Sequence, residues 1–127
     1  MDIFIHQSSG KNIEEFIDKI FSLFNLKKTE ERESSNYPPN NRYFIGYGKD
    51  NNLTVWDEDS KTLEEYPFVL SLKNNTHKNG HVLLPKSIDE IASILSKGGF
   101  NCFIPLSNNY WETNWDRKGK LYSSSKN

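Results

Sequence analysis

Six apolar residues near the start of the chain constrain its folding more than any other feature. Ile13, Phe16, Ile17, Ile20, Phe21 and Phe24 recur at intervals of three and one, which aligns them along one side of an α-helix. Glu14, Glu15, Asp18, Lys19 and Ser22 fall off that stripe, and Glu15 with Lys19 forms a favourable i,i+4 pair. Asn12 and Glu15 have the spacing of a capping box, and the acids of the first turn suit the positive end of the helix dipole. The spacing predicts a helix over 12–25. Three phenylalanines and three isoleucines on one helix face need a surface to cover, and the rest of the chain must supply it.

Short strand-like runs supply that surface. Asp2–His6, Arg42–Gly48, Leu53–Asp57 and Tyr66–Lys73 are rich in β-branched and aromatic residues. The second and third are joined by the polar turn Lys49–Asn52, a hairpin signal. In the fourth, Phe68, Leu70 and Leu72 alternate onto one face, and Pro67 is tolerable near its start or on an edge. Residues 27–41 are polar, end near Pro38-Pro39 and predict a loop; residues 58–65 predict an acidic connection. After a turn over 74–80, His81–Leu84 suggests a brief strand.

Ser87 and Glu90 then form a second capping box. Ile88, Ile91, Ile94 and Leu95 make a second apolar stripe, which Gly98-Gly99 ends. Phe100–Leu106 predicts a further strand, and residues 114–122, with Gly119 at the turn, carry a C-terminal hairpin signal. The order is β-α-β-β-β-(β)-α-β plus that hairpin. The fold class is α+β: two layers, a mostly antiparallel sheet and two amphipathic helices, in one domain over 1–122 with 123–127 expected to fray.

Composition narrows the function. The chain has 127 residues, enough for one core, and its single alanine, Ala92, argues against a helical bundle. No apolar run is long enough to cross a membrane as a helix, and the first ten residues show no secretory leader, so a cytoplasmic location is expected. A net charge of −1 opposes general nucleic-acid binding.

Candidate chemistry is sparse. His77 and His81 are four apart, but Lys78-Asn79-Gly80 between them suggests a turn and no carboxylate lies close in sequence, so no metal is expected. His6 with Ser8, Ser9 and Gly10 precedes the first helix without a phosphate-loop pattern. Cys102 alternates with Phe100 and Ile104, the pattern of a small core residue rather than a nucleophile. The acid pairs show nothing that would separate their pKa values. The expectation is a chain that is not an enzyme and takes no cofactor.

Two features stand above this background. The acids are grouped, at Glu30, Glu31 and Glu33 and again over 57–65, where five acids accompany one lysine. Such a patch would steer a cationic partner. The stretch 108–116 sets Tyr110, Trp111 and Trp115 among polar residues without helical or strand periodicity, and such rings commonly anchor protein interfaces. Trp56 directly precedes the acidic run. The expected partner-binding residues are therefore Trp56, Asp57, Glu58, Asp59, Tyr110, Trp111 and Trp115.

A small chain of this style, rich in Asn and Ser, with segments such as GYGKDNNLTVWDEDS (46–60) and SIDEIASILSKGG (87–99), resembles the immunity proteins of bacterial contact-dependent growth inhibition systems. The resemblance implies a protein that binds and neutralises a cognate toxin domain, often a nuclease, by direct contact. It carries no residue-by-residue motif and assigns no site. The alternatives are a small hydrolase or transferase built around His6, Cys102 or an acid, and a ligand- or nucleic-acid-binding module stacking on Arg42, Tyr43 and Tyr47.

Overall fold

Side chains alternate across a strand, so a strand buried on both sides must feed two apolar layers at once. The computed structural model describes residues 2–6, 13–38, 40–58, 64–74, 80–107, 109–110 and 112–124. Among them, seven strands form one sheet: β1 (Asp2–Ile5), β2 (Thr29–Glu33), β3 (Arg42–Tyr47), β4 (Asn51–Asp57), β5 (Phe68–Asn74), β6 (Cys102–Pro105) and β7 (Gly119–Tyr122). Their spatial order is β2-β3-β4-β5-β1-β6-β7, and every neighbouring pair is antiparallel. Two helices, α1 (Ile17–Leu23) and α2 (Ile88–Lys97), lie on one face, in the two-layer α+β arrangement that the periodicities predict.

The main core sits between helices and sheet. Ile3 and Ile5 of β1, Leu53 and Val55 of β4, Phe68 and Leu70 of β5, and Cys102 and Ile104 of β6 meet Ile17, Ile20 and Phe21 of α1 and Ile91, Ala92 and Leu95 of α2. The intervening residues Phe4, Val69 and Phe103 point to the other face. The alternation expected of Phe68, Leu70 and Leu72 holds, with Leu72 only partly buried where β5 leaves the core.

The first helix is shorter than its stripe. Ile13–Glu15 forms a 3₁₀ turn, Phe16 leaves helical geometry at φ −135°, and α1 proper runs over seven residues. The six apolar side chains are nevertheless all buried, because burial depends on the face they share rather than on unbroken hydrogen bonding. Asn12 lies outside the described residues. In α2 the expected N-cap is present: the Ser87 hydroxyl accepts from the Asp89 N–H at 3.2 Å. At its other end Gly99 takes φ +107°, a left-handed stop that suits glycine.

Three segments differ from their sequence reading. Thr29–Glu33, expected within a loop, is the edge strand β2, paired with β3 from Thr29↔Gly46 to Glu33↔Arg42. All five of its side chains are exposed, so it carries no apolar alternation by which to detect it. His81–Leu84 is not a strand; it rests against the β3–β4 turn through the Lys49 N–H to the Val82 carbonyl at 2.8 Å. The C-terminal segment does not fold back on residues 114–116. β7 pairs instead with β6, from Cys102↔Tyr122 to Pro105↔Gly119, while Trp115 is drawn into the apolar layer beside Phe103. Ser124, expected to fray, is buried, and its N–H donates to Asn101 Oδ1 at 2.7 Å.

Leu70 has no exposed surface at the centre of this sheet. Leu70→Ala is expected to lower stability by about 2–5 kcal/mol through lost burial and a residual cavity, read as a shifted urea midpoint with an unchanged slope.

Candidate functional site

The sheet face away from the helices has no helix over it among the described residues, and aromatic side chains collect there. At its β1–β6 end, Phe4, Val69, Phe103 and Trp115 form a small apolar cluster, with Trp56, Tyr66 and Tyr110 half-buried around it. Tyr110 stands edge-on to Phe4, with ring centroids 4.9 Å apart, and its hydroxyl donates to Asp2 Oδ2 at 3.0 Å. Tyr66 lies 5.7 Å from Phe103 and 5.2 Å from the ring of His6. Burial raises the pKa of both tyrosines, so each hydroxyl stays a neutral donor at physiological pH.

Toward β3 the rings continue. Tyr37 lies 4.6 Å from Tyr43 and 5.2 Å from Trp56. Lys73 Nζ sits 5.6 Å from the centre of the Tyr37 ring and 5.5 Å from that of Trp56, and donates to the Tyr37 hydroxyl at 3.0 Å. The contact with Tyr37 is thus a hydrogen bond at the hydroxyl edge of the ring, and the cation–π contact is the one with Trp56. The Trp56 indole N–H donates to Glu58 Oε2 at 3.1 Å. Tyr37, Tyr43, Trp56, Tyr66 and Tyr110 are all half-exposed, with a large apolar body available to a partner. The bonds of Tyr37, Trp56 and Tyr110 restrict the rotamers of those three rings before any partner arrives.

Strand alternation sorts the residues singled out in the sequence. Trp56, Glu58 and Tyr110 lie on this face. Asp57 lies on the other side of the sheet, 9% exposed, where Asn40 Nδ2 donates to its Oδ2 at 2.7 Å and Arg42 Nη2 stands 3.8 Å away. Arg42 also pairs with Glu14, and that bond holds the Glu14 carboxyl below its ordinary pKa. Asp57 is thus part of an ion cluster at the edge of the core and not of an acidic patch. Trp115 is 7% exposed, a packing residue of the cluster rather than a free anchor. Asp59 and Trp111 lie outside the described residues.

Glu65, from the same acidic window, is paired with Arg117 at 2.6 Å. Tyr37, Tyr66 and Lys73 were not singled out. Lys73 follows from the alternation of β5, because Val69, Ser71 and Lys73 share the face opposite Phe68 and Leu70. Tyr37 comes from a segment with no periodicity and had no signal.

The nucleophile and metal candidates separate. Cys102 is buried, and desolvation pushes its thiol up to about 12. His81 is exposed and far along the chain from His6, and His77 lies outside the described residues. Among the described residues no group of three His, Cys, Asp or Glu side chains is placed to hold a metal ion, and no helix is long and apolar enough to cross a membrane. No family model, curated protein or solved structure matches the chain.

The thiol makes a direct check of the helix side of the sheet. Native Cys102 is expected to resist a thiol-reactive disulfide reagent at pH 8 and to label fully in denaturant. Its raised pKa also sets a sign: the neutral thiol stabilises the fold below pH 9, and that contribution is lost as pH rises from 9.0 toward about 12. The raised tyrosines act in the same direction, so the melting temperature is expected to fall between pH 8 and pH 11.

Proposed function

We propose that the chain is an immunity protein that binds a cognate bacterial toxin domain through the ring-bearing sheet face opposite the helices and neutralises it by occlusion. The observation that carries this reading is the row of half-exposed rings around Trp56, three of them tethered by hydrogen bonds. Tyrosine and tryptophan dominate the energetics of protein interfaces because they bury much area for few torsions. Asp2 and Glu58 leave carboxylate oxygens beside the rings, and Lys73 a cation, so the face suits a partner with both apolar and charged groups. Inhibition of this kind asks for no catalytic step, metal or cofactor from the chain. The proposed place of action is the cytoplasm, and membrane and nucleic acid are not the proposed partners.

The test starts from the gene immediately upstream and the C-terminal domain it encodes. Co-expression of the chain is expected to protect cells from that domain, and the two purified proteins are expected to form a complex. Trp56→Ala is expected to weaken the complex about 30-fold or more, as befits a central aromatic anchor. Glu58→Lys should lower the association rate and change its dependence on salt. Asp57→Asn is the control: it should lower stability through the Arg42 cluster while leaving affinity within about twofold. Protection unchanged by Trp56→Ala, or a complex as sensitive to Asp57→Asn as to Trp56→Ala, would sink the assignment to this face.

A further inference from the structure

A second concavity lies at the end of β3, where three chain segments meet. Lys27 and Lys28, which follow α1, form one wall, Tyr47 the floor, and Gly80, His81 and Val82 the other wall, around a cavity of about 560 Å³. That volume is in the range of small-molecule sites.

Main-chain bonds fix the walls. The Tyr47 N–H donates to the Lys28 carbonyl at 2.9 Å, the Gly80 N–H to the Gly48 carbonyl at 3.1 Å, and the Lys49 N–H to the Val82 carbonyl at 2.8 Å. Gly80 makes the third segment fit, because a Cβ there would lie 2.1 Å from the Tyr47 carbonyl oxygen. The Tyr47 ring cannot swing away, since its hydroxyl donates to Glu30 Oε2 at 2.6 Å.

The lining is mainly apolar, yet among the described residues its titratable groups are Lys27, Lys28, His81 and the neutral Tyr47, with no carboxylate. Lys28 Nζ stands 5.8 Å from the centre of the Tyr47 ring. Glu30, an acid on which the Lys28 charge acts, is bonded to Arg32 and Tyr47. Two lysines lining a mainly apolar cleft attract a compact dianion, and the cleft itself accepts a flat hydrophobic body.

We propose that this cleft binds a small organic phosphate: a phosphate monoester placed between Lys27 and Lys28, carrying an aromatic or apolar group that lies on Tyr47 and Val82. Tyr47 shares a sheet face with Tyr43 but stands at the other end of β3, and the cleft has no lining residue in common with the proposed docking rings. Its ligand would change the stability of the chain by mass action whether or not a toxin partner is present.

The probe is 1-naphthyl phosphate, followed by amide chemical shifts of the full chain, with inorganic phosphate and 1-naphthol as its separate halves. The expected result is perturbation confined to 25–28, 47–49 and 80–82, with affinity at least about tenfold above either half. Lys27→Met with Lys28→Met should weaken 1-naphthyl phosphate about tenfold or more while leaving 1-naphthol unchanged, and raised salt should act in the same direction. Val82→Trp, which fills the cleft from a half-buried position, should remove binding of both; circular dichroism and the melting temperature verify that each variant is folded. No binding up to about 5 mM, shifts centred elsewhere, or equal affinity in the double lysine variant would each overturn the proposal. None of these readouts involves the toxin, so a failure here leaves the docking face untouched, and the reverse holds.

Discussion

Ile3, Phe4 and Ile5 have no exposed surface, and the rest of the molecule depends on that one strand. β1 lies between β5 and β6, so its consecutive side chains must enter two different apolar layers. Ile3 and Ile5 meet the layer that α1 and α2 close. Phe4 opens the second layer, and the chain completes that layer with Val69, Phe103 and Trp115. Full burial of each such side chain contributes about 1.5–3 kcal/mol, so neither layer can be left to water. The helices close one layer entirely. The other is closed around Phe4, and Ile45, Tyr47, Thr54 and Ser71 of that face are also buried, while Tyr37, Tyr43, Trp56, Tyr66 and Tyr110 stay half-exposed.

The same alternation that builds the core divides the charges. Trp56 and Asp57 are adjacent in sequence and lie on opposite sides of the sheet. On the helix side a carboxylate must be neutralised, and Arg42 serves both Asp57 and Glu14, tying β3 and β4 to the 3₁₀ turn ahead of α1. The Arg42 guanidinium also lies 5.5 Å from the centre of the Phe44 ring, so its stem and charge share the edge of the core. On the other side Glu58 stays partly solvated and needs only the Trp56 N–H. A run of acids in the sequence therefore yields one structural anion and one surface anion, and net charge cannot tell them apart.

Much of the fold was legible because burial leaves periodic traces. The stripe of Ile13 to Phe24, the stripe of Ile88 to Leu95 and the alternation of Phe68, Leu70 and Leu72 each mark a face toward the core. β2 left no such trace, since all five side chains are exposed and the strand is held by main-chain pairing with β3. The pairing of β7 with β6 was hidden for a different reason. Long-range pairing follows from Trp115 entering the second layer, and local turn chemistry around Gly119 favours a nearer partner. Of the candidate site, Trp56, Glu58 and Tyr110 were readable as residue types in polar surroundings. Asp57 and Trp115 were not, because their burial is decided by the opposite face of one strand and by the far end of another.

The tethered rings bear on how such a face can bind tightly without a deep cavity. Tyr110 is fixed by Asp2, Trp56 by Glu58 and Tyr37 by Lys73, each through a partner from β1, β5 or the end of β4. A free tryptophan or tyrosine loses rotamer entropy when a partner immobilises it, at about 0.5–1.5 kcal/mol per side chain. Rings already held by the sheet lose little of that on docking. Tyr110 and Trp56 also keep their donors satisfied, so burying those two ring bodies does not strand one. Lys73 reinforces the effect, since it bonds the Tyr37 hydroxyl and lies 5.5 Å from the centre of the Trp56 ring, so covering it trades solvent for a stronger cation–π contact with Trp56. Rigidity in this face is inherited from the strands that carry it, and those strands are rigid because β1 is buried on both sides.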